Sequence, residues 1–312
     1  MPDLIFHHYP NSPFSEKVRL IFGFKQLAWQ SVNIPVIMPK PDLTALTGGY
    51  RKTPVLQIGA DIYCDTALIA EVLERIAPTP SLYPSAVTGL ARTLAQWADS
   101  TFFWTAIAYA FQPAGLQEMF VNVPEEHLHA FAVDRSLLRG NAARLPAADA
   151  TGQLRQYLRQ LESMLEPGTP YLLGNAPCIA DFSVYHAIWT IRRINAVAGI
   201  LDVAPRLLAW ADRMAAIGHH QCGRLRAGDA LTIARDSTPV AIDATGAATF
   251  VDTHHIALGT QVTIAATDYG VDPVAGELVI CSAQEFAVRR SDERAGTVVV
   301  HFPRLGFQLK KA

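Results

Sequence analysis

The sequence predicts an α+β protein in three parts: a mixed α/β segment over residues 1–80, an all-helical segment over residues 85–222 and a small all-β barrel or sandwich over residues 226–312. The first observation behind this prediction is that apolar spacing changes along the chain, from mixed to helical and then to short strand-like runs. The second is that turn residues end long helical runs in the middle segment but separate short runs after Gly223. A chain of 312 residues is long enough for two or three domains.

The first segment has the order strand, helix, strand, loop, strand, strand, helix. Its helices place their apolar residues on one face, and its last two strands meet at Gly59 in a hairpin pattern. The predicted elements are strands at residues 4–8, 29–34, 54–58 and 61–64, and helices at residues 15–24 and 65–76.

The middle segment is predicted to be helical and the last segment to be built from strands. The helices are expected at residues 88–111, 151–165, 181–197 and 204–217, where apolar residues follow the helical period. The strands are expected at residues 230–235, 262–266, 277–281, 285–290 and 297–302. No catalytic constellation is visible in the last segment.

Composition excludes several classes of function. The formal net charge is −2 and no basic stripe is present, so the sequence predicts no nucleic-acid partner. The apolar runs are too short to span a bilayer and the N-terminus lacks the features of a secretory signal, so no membrane partner is expected. The four cysteines form no Cys-x-x-Cys pair, and neighbouring histidines on a strand point to opposite faces, so no metal is predicted. Widely spaced cysteines also suit a reducing compartment, and we expect a cytoplasmic protein.

The first candidate site is the run Ser12-Pro13-Phe14-Ser15-Glu16-Lys17-Val18-Arg19, which directly follows the first strand. A helix that begins here presents unpaired N–H groups and the positive end of its dipole. A hydroxyl at that position is able to hydrogen-bond a thiolate and lower its pKa. The alternative is that Ser12 only caps the helix, as serine often does.

Two further sites lie at the hairpin and at the helix that follows it. If the Thr53–Pro54 bond is cis, as about 5–6% of X–Pro bonds are in folded proteins, Thr53 would offer its N–H and C=O to an extended peptide ligand. Asp65 and Thr66 open the next helix. They either cap that helix or hold the ammonium and the carboxylate of a ligand.

Taken together, these sites resemble the soluble glutathione S-transferase family, and its omega and zeta classes most closely. The strand order matches the family's thioredoxin-like domain, Thr53-Pro54 stands where the family has a cis-proline, and Asp65-Thr66 replaces the usual Glu-Ser. Omega enzymes have Cys-Pro-Phe-Ala-Glu-Arg-Thr-Arg in place of the run from Ser12 to Arg19, and Lys-Pro-Glu in place of Lys40-Pro41-Asp42. Cys178-Ile179-Ala180-Asp181 resembles the family's Ser/Thr-x-x-Asp helix box. The resemblance covers residues 3–220, so the β segment is an addition.

The resemblance implies a role for each matching residue in binding glutathione, the expected cosubstrate. Ser12 would face the sulfur, Lys40 would bind the glycyl carboxylate, and Thr53 would pair with the cysteinyl backbone. Asp65 and Thr66 would hold the γ-glutamyl end, while Phe14 and Pro54 belong to the same binding site. Trp104, on the first long helix of the middle segment, is the candidate for the pocket that accepts a small apolar electrophile.

Position 12 departs from the omega pattern in a way that bears on the chemistry. Because serine replaces the omega cysteine, a mixed disulfide with glutathione is impossible there, whereas addition or isomerisation of the zeta type remains possible. Tyr9 is an alternative to Ser12, since some classes use a tyrosine at the end of this strand. Arg19, taken as the anchor of the motif, favours Ser12.

The sequence therefore predicts a glutathione transferase, a detoxification enzyme that stabilises the glutathione thiolate with Ser12 and presents it to an apolar electrophile. A homodimer is expected from the resemblance and from the apolar aromatic helix at residues 97–111. The alternative is a non-catalytic scaffold with the same fold, whose β segment binds another protein.

Overall fold

The first part of the chain folds in the predicted order. The computed structural model describes residues 3–142, 145–166, 168–240 and 253–312. Four strands and three helices make up the first part: β1 Ile5–His8, α1 Pro13–Phe24, β2 Trp29–Asn33, α2 Pro41–Thr47, β3 Val55–Ile58, β4 Asp61–Cys64 and α3 Thr66–Ile76. β1 is parallel to β2 and antiparallel to β3, and β3 forms an antiparallel hairpin with β4.

The middle part is helical, as predicted. It comprises α4 Thr88–Trp97, a π-helical turn Ala98–Phe102, α5 Phe103–Ala110, α6 Pro113–Met119, α7 Glu125–Arg139, α8 Ala147–Met164, α9 Ile179–Arg192, α10 Asn195–Ala198, a 3₁₀ turn Gly199–Val203 and α11 Pro205–Ala216. Nearly every residue of α9 is buried, so this helix is the centre of the bundle. The Asp181 carboxylate accepts hydrogen bonds from the backbone N–H of Cys178, from that of Leu172 and from Trp210 Nε1. The helix box that the sequence suggested is therefore present, with cysteine at its N-cap.

The last part contains a helix where the sequence suggested a strand. Its elements are β5 Cys222–Arg224, α12 Ala227–Asp236, β6 Gln261–Ala266, β7 Val274–Cys281, β8 Glu285–Asp292, β9 Gly296–Pro303 and β10 Phe307–Lys311. The strand predicted at residues 230–235 is wrong. Ala230, Leu231 and Ala234 are the buried positions, and this spacing places them on one face of a helix.

The remaining C-terminal strands are present, but they extend the sheet of the first part instead of closing a separate barrel. The ten strands of the described residues form one sheet in the order β10-β6-β7-β8-β9-β4-β3-β1-β2-β5. Its central seam is the parallel pairing of β4 with β9, in which Ile62 lies opposite Val300. Residues 226–312 are thus joined to the first segment through backbone hydrogen bonds.

Two hydrophobic cores lie on the two sides of this sheet. One contains side chains of β1, α1 and α3 together with the helical bundle, for example Phe6, Phe22 and Phe182. The other contains side chains of β1, β4, α2, α12 and the C-terminal strands, for example Ile62, Leu231 and Val300. The C-terminal segment and the first segment therefore share a core.

A buried polar cluster occupies the seam between β4 and β9. His301 on β9 contacts the Glu285 carboxylate through Nδ1, and its Nε2 lies 3.0 Å from Asp61 Oδ1. Its ring stacks on Tyr63 at a centroid distance of 4.5 Å. Burial opposes the charged ring, but hydrogen bonds to the two carboxylates outweigh it and raise the pKa of His301. A ring with a carboxylate at each nitrogen is satisfied only when both nitrogens carry a proton, so His301 is an imidazolium in this seam.

We expect the stabilising effect of His301 to depend on pH. Since its folded-state pKa is raised, its contribution is complete below the ordinary value of about 6.5 and is lost as pH rises through the raised value. His301→Gln should lower the free energy of unfolding by about 3 kcal/mol near acid pH and by clearly less in alkaline buffer. Urea denaturation at several pH values measures this, with the exposed His127→Gln as the control. A destabilisation that is constant with pH would contradict the imidazolium assignment.

Candidate functional site

The turn between β1 and α1 places Ser12 at the N-cap of the helix. Its hydroxyl oxygen accepts a hydrogen bond from the Ser15 backbone N–H at 3.2 Å, and Pro13 begins the helix. Serine carries one O–H donor besides its acceptor lone pairs. The Ser12 proton forms no hydrogen bond with a described residue, so it is available to a ligand at the positive end of the helix dipole. The capping role and the thiolate role are therefore compatible.

A buried charged cluster fixes the turn that carries Ser12. Arg19 donates to the Pro10 carbonyl at 2.9 Å and to the Glu16 carboxylate at 2.7 Å, and its remaining nitrogen lies 3.0 Å from His8 Nδ1. Burial, followed by the charge of Arg19, lowers the pKa of His8 to about 3, so His8 is neutral and accepts from the guanidinium. Arg19 thus holds the backbone just before Ser12 in place.

Lys40, immediately before α2, is a buried cation beside the hairpin. Its side chain donates to Thr53 Oγ1 at 3.2 Å, and its Nζ lies 5.8 Å from the centre of the Tyr9 ring. In the part of the chain that the structure describes, no carboxylate lies within ion-pair distance of this ammonium. Burial lowers the pKa of Lys40 to about 8, assisted by the nearby Arg135. An ammonium uses three donors, so Lys40 is left able to bind an anion.

Thr53 presents an unpaired backbone edge next to Lys40. The Thr53–Pro54 peptide bond is cis, as the resemblance to the family implied. No other described residue hydrogen-bonds the backbone N–H or C=O of Thr53. Because a backbone with a free donor and a free acceptor pairs readily with an extended peptide, this position suits a peptide ligand.

Asp65 lies at the N-cap of α3 in an unusual backbone conformation. Its φ of 76° and ψ of 136° fall outside the regions that residues other than glycine adopt readily, and its carboxylate accepts from the Ala67 N–H at 2.9 Å. Burial raises the pKa of Asp65, although that hydrogen bond and the charges of Lys52 and Lys17 oppose the shift. Strained backbone of this kind is found where the surroundings hold a residue for a function.

A second buried polar cluster supports Asp65 and Thr66, and sequence reasoning did not find it. Lys17 donates to Thr66 Oγ1 at 3.1 Å and forms an ion pair with Asp99 at 2.6 Å. His186 Nε2 lies 3.0 Å from the other oxygen of Asp99. Burial opposes the charge of Asp99, but Lys17 and His186 outweigh it and lower its pKa. Asp99 lies in the π-helical turn, which is an irregularity that helical periodicity does not reveal.

Aromatic residues form the side of the site that faces the helical bundle. Phe14 packs against Phe103 with a centroid distance of 4.6 Å, and Phe103 contacts Trp104 at 5.3 Å. Trp104 is 37% exposed, whereas Phe102, Phe103 and Tyr109 are buried. Trp104 is therefore the aromatic residue of this helix that is open to a ligand.

The structure brings some predicted site residues into contact and leaves others apart. Tyr9, Lys40 and Thr53 form one group, and Phe14 is linked to Trp104 through Phe103. Tyr9 is partly exposed and lies beside Lys40, whereas Ser12 is buried at the helix N-cap. Both residues lie in the turn between β1 and α1, where the Ser12 N–H donates to the Tyr9 carbonyl, so the choice between the two hydroxyls stays a prediction.

Two searches of the described residues gave negative findings. No group of three or more His, Cys, Asp or Glu side chains is arranged to hold a metal ion in the described ranges. Among the helices described, none has the length and apolar character needed to cross a membrane.

The comparisons with known proteins match the two N-terminal parts and also the whole chain. Residues 6–81 match the glutathione S-transferase N-terminal domain and residues 95–213 match the C-terminal domain of the same family. A GST-like protein from Pseudomonas syringae, known from its crystal structure, is 43% identical, with a TM-score of 0.84 and full coverage of both chains. The extra C-terminal segment is therefore shared with that protein.

Two more distant relatives match a part of the chain. FtsZ-localized protein A of Caulobacter vibrioides is 26% identical over 183 residues, which is 57% of this chain and 72% of the relative. A glutathione S-transferase from Rhodospirillum rubrum is 19% identical with a TM-score of 0.51, covering 67% of this chain and 86% of that one, and shows the fold alone. With the two family domains in order and the cis-proline and helix N-caps in their expected places, this chain belongs to the glutathione S-transferase family.

Proposed function

We propose that this protein binds glutathione between the N-termini of α1, α2 and α3 and activates its thiol, through Ser12, for attack on a small apolar electrophile. The observation that carries the proposal is Lys40, a buried ammonium without a carboxylate partner among the described residues. Burying an unpaired charge is costly. A ligand carboxylate placed there would recover that cost, which is the role that the glycyl end of glutathione would fill.

The other end of the tripeptide has complementary charges available. The Asp65 carboxylate is able to bind the γ-glutamyl ammonium, and the N-terminus of α3 at Thr66 is able to bind the γ-glutamyl carboxylate. Lys17, which is paired with Asp99, donates to Thr66 Oγ1 and so holds the Thr66 side chain at this position. Opposite charges at the two ends would fix the direction in which the peptide lies along Thr53.

This orientation of the peptide would bring the glutathione thiol to the residues that activate it. With its ends held at Lys40 and Asp65, the cysteinyl residue would lie beside Thr53, close to the Ser12 and Tyr9 side of the cleft. A hydrogen bond from the Ser12 hydroxyl and the dipole of α1 would both favour the thiolate. A larger thiolate fraction at neutral pH gives a better nucleophile.

Replacing Ser12 by alanine should reduce the rate of conjugation while glutathione still binds. One lost hydrogen bond to a charged group corresponds to about ten- to a hundredfold in kcat. The pKa of the bound glutathione thiol, followed by thiolate absorbance, should rise in the same variant. A small loss of thermal stability is expected as well, because the helix cap is removed. The matched variant is Tyr9→Phe. If Tyr9→Phe is inactive while Ser12→Ala keeps full activity, the hydroxyl that stabilises the thiolate belongs to Tyr9 and not to Ser12.

Glutathione affinity should fall as pH rises through about 8, the pKa of Lys40 in the free protein. The reason is that a carboxylate binds only the protonated ammonium, so binding takes up a proton above this pH. Calorimetry with S-methylglutathione, which has no thiol to ionise, measures the effect. Lys40→Arg stays charged and should give a flatter profile, while the amino group of the ligand titrates equally in both proteins. Equal pH profiles for the two proteins would contradict the role of Lys40.

Removing the Asp65 charge should weaken glutathione binding much more than it lowers turnover at saturation. The γ-glutamyl end is remote from the sulfur, so its contacts are nearly the same in the ground and transition states. Asp65→Asn is the sharper variant, because an amide oxygen is still able to accept from the Ala67 N–H. Kinetics over a range of glutathione concentrations separates the two effects. A large fall in kcat at unchanged affinity would show that Asp65 acts on the chemistry.

The second candidate function is a non-catalytic scaffold that binds another protein. It is favoured by the similarity to FtsZ-localized protein A, whose name describes a localisation with FtsZ rather than a reaction. Turnover of an electrophile by the purified protein supports the enzyme. Failure to bind glutathione at millimolar concentration supports the scaffold.

The remaining expectations are proposals that rest on family membership. A homodimer is one of them, although three of the six aromatic residues at positions 97–111, namely Phe102, Phe103 and Tyr109, are buried within the chain itself. A cytoplasmic location suits the four cysteines, which are all free thiols. A role in detoxification would follow from turnover of an electrophile.

A further inference from the structure

The loop at residues 267–273, between β6 and β7, brings the C-terminal segment into contact with both of the other parts of the chain. Tyr269 at its centre contacts Trp104 on α5, with a centroid distance of 4.8 Å and perpendicular rings. The ammonium of Lys52 lies 4.0 Å from the centre of the Tyr269 ring. Since Lys52 immediately precedes Thr53, this tyrosine spans the gap between the cis-proline turn and the exposed aromatic residue of the bundle.

Two polar contacts fix the loop to the other two parts of the chain. Asp268 forms an ion pair with Lys52 at 2.6 Å, and the Gly270 N–H donates to the Leu138 carbonyl on α7 at 2.7 Å. Gly270 has a φ of +56°, and a Cβ there would lie 3.0 Å from Leu138 Cδ1 and 3.3 Å from Lys52. The close approach and the left-handed backbone both favour glycine. The position of Tyr269 is thus determined by anchors on each side of it.

The electrostatic surroundings of Tyr269 are those of the proposed glutathione site. Burial raises the pKa of its hydroxyl well above the ordinary value, and the charges of Asp268, Asp65 and Asp99 act in the same direction. Asp65 is the proposed partner of the γ-glutamyl ammonium. The tyrosine therefore keeps its proton, and the carboxylates that act on it include Asp65.

We propose that Tyr269 determines which S-substituents and electrophiles this protein accepts, by forming with Trp104 the aromatic wall of the pocket next to the glutathione sulfur. This inference rests on the proposed binding of glutathione. Two aromatic rings, one of them partly exposed, give an apolar surface that suits an alkyl or aryl group. The wall has one side from the helical bundle and one from the C-terminal segment, so the segment takes part in recognition.

The test compares the binding of two glutathione derivatives that differ only in the group on sulfur. Calorimetry is performed on the full-length protein with S-methylglutathione and S-hexylglutathione. The wild-type protein should bind the hexyl compound more tightly, because its longer chain buries more apolar surface. Tyr269→Ala should lower the affinity for S-hexylglutathione by about tenfold. The affinity for S-methylglutathione should change by less than about twofold. Tyr269→Phe keeps the ring and should retain the preference, as should the control Val271→Ala, an exposed residue of the same loop.

Other results would contradict either glutathione binding or the role of Tyr269. If the wild-type protein binds neither compound, glutathione binding itself is refuted. If both compounds bind and Tyr269→Ala leaves the hexyl preference intact, or weakens both compounds equally, Tyr269 does not line the pocket and the inference is overturned. Trp104→Ala changes the opposite side of the wall without altering the loop, and it should show the same selective loss. It decides the question if Tyr269→Ala does not fold, because an unchanged preference in Trp104→Ala overturns the shared wall.

Discussion

The parallel pairing of β4 with β9 is the interaction on which the arrangement of this molecule depends. An edge strand exposes a row of unpaired N–H and C=O groups, and such edges are normally covered. Here the Val299 N–H donates to the Ala60 carbonyl, and Asp61 to Tyr63 lie opposite Val299 to His301. This pairing turns β4 into an interior strand and attaches five C-terminal strands to the glutathione S-transferase sheet. The loop that carries Tyr269 reaches the cleft only because β6 and β7 belong to that extension.

Sequence periodicity predicted most of the elements but not their long-range pairing. The hairpin at Gly59 and the amphipathic helix after Asp65 are local features, and the structure has both. The pairing of β4 with β9 joins residues more than two hundred positions apart, and an alternating pattern tells which face of a strand is buried but not which strand lies beside it. The helix at Ala227–Asp236 was missed for a related reason. Short apolar runs fit a strand or a helix equally well until their packing partners are known.

The candidate site divides in the same way between local motifs and tertiary contacts. Ser12, Thr53 and Asp65 were found because caps and proline turns have short sequence signatures, and the cis bond and the two N-caps are present in the structure. The ion pair of Lys17 with Asp99 joins α1 to a π-helical turn in the bundle, and no spacing rule indicates it. In the sequence, Tyr269 was only one residue of a run of turn-forming residues, and no role was predicted for it. The role proposed for it depends on its contact with Trp104, which only the structure shows.

In the proposed binding mode, the tripeptide and the group on its sulfur are recognised by different parts of the chain. The charged ends of glutathione would be held by Lys40 and Asp65, which both belong to the first segment and are positioned by its helix termini. The sulfur substituent would meet Trp104 and Tyr269, which come from the helical bundle and the C-terminal segment. Interactions between distant side chains that share no partner are close to additive. A change of the Tyr269 ring that leaves the Asp268–Lys52 ion pair in place would therefore alter the choice of electrophile more than the affinity for glutathione. The C-terminal strands would in this way contribute to substrate selection by extending the sheet.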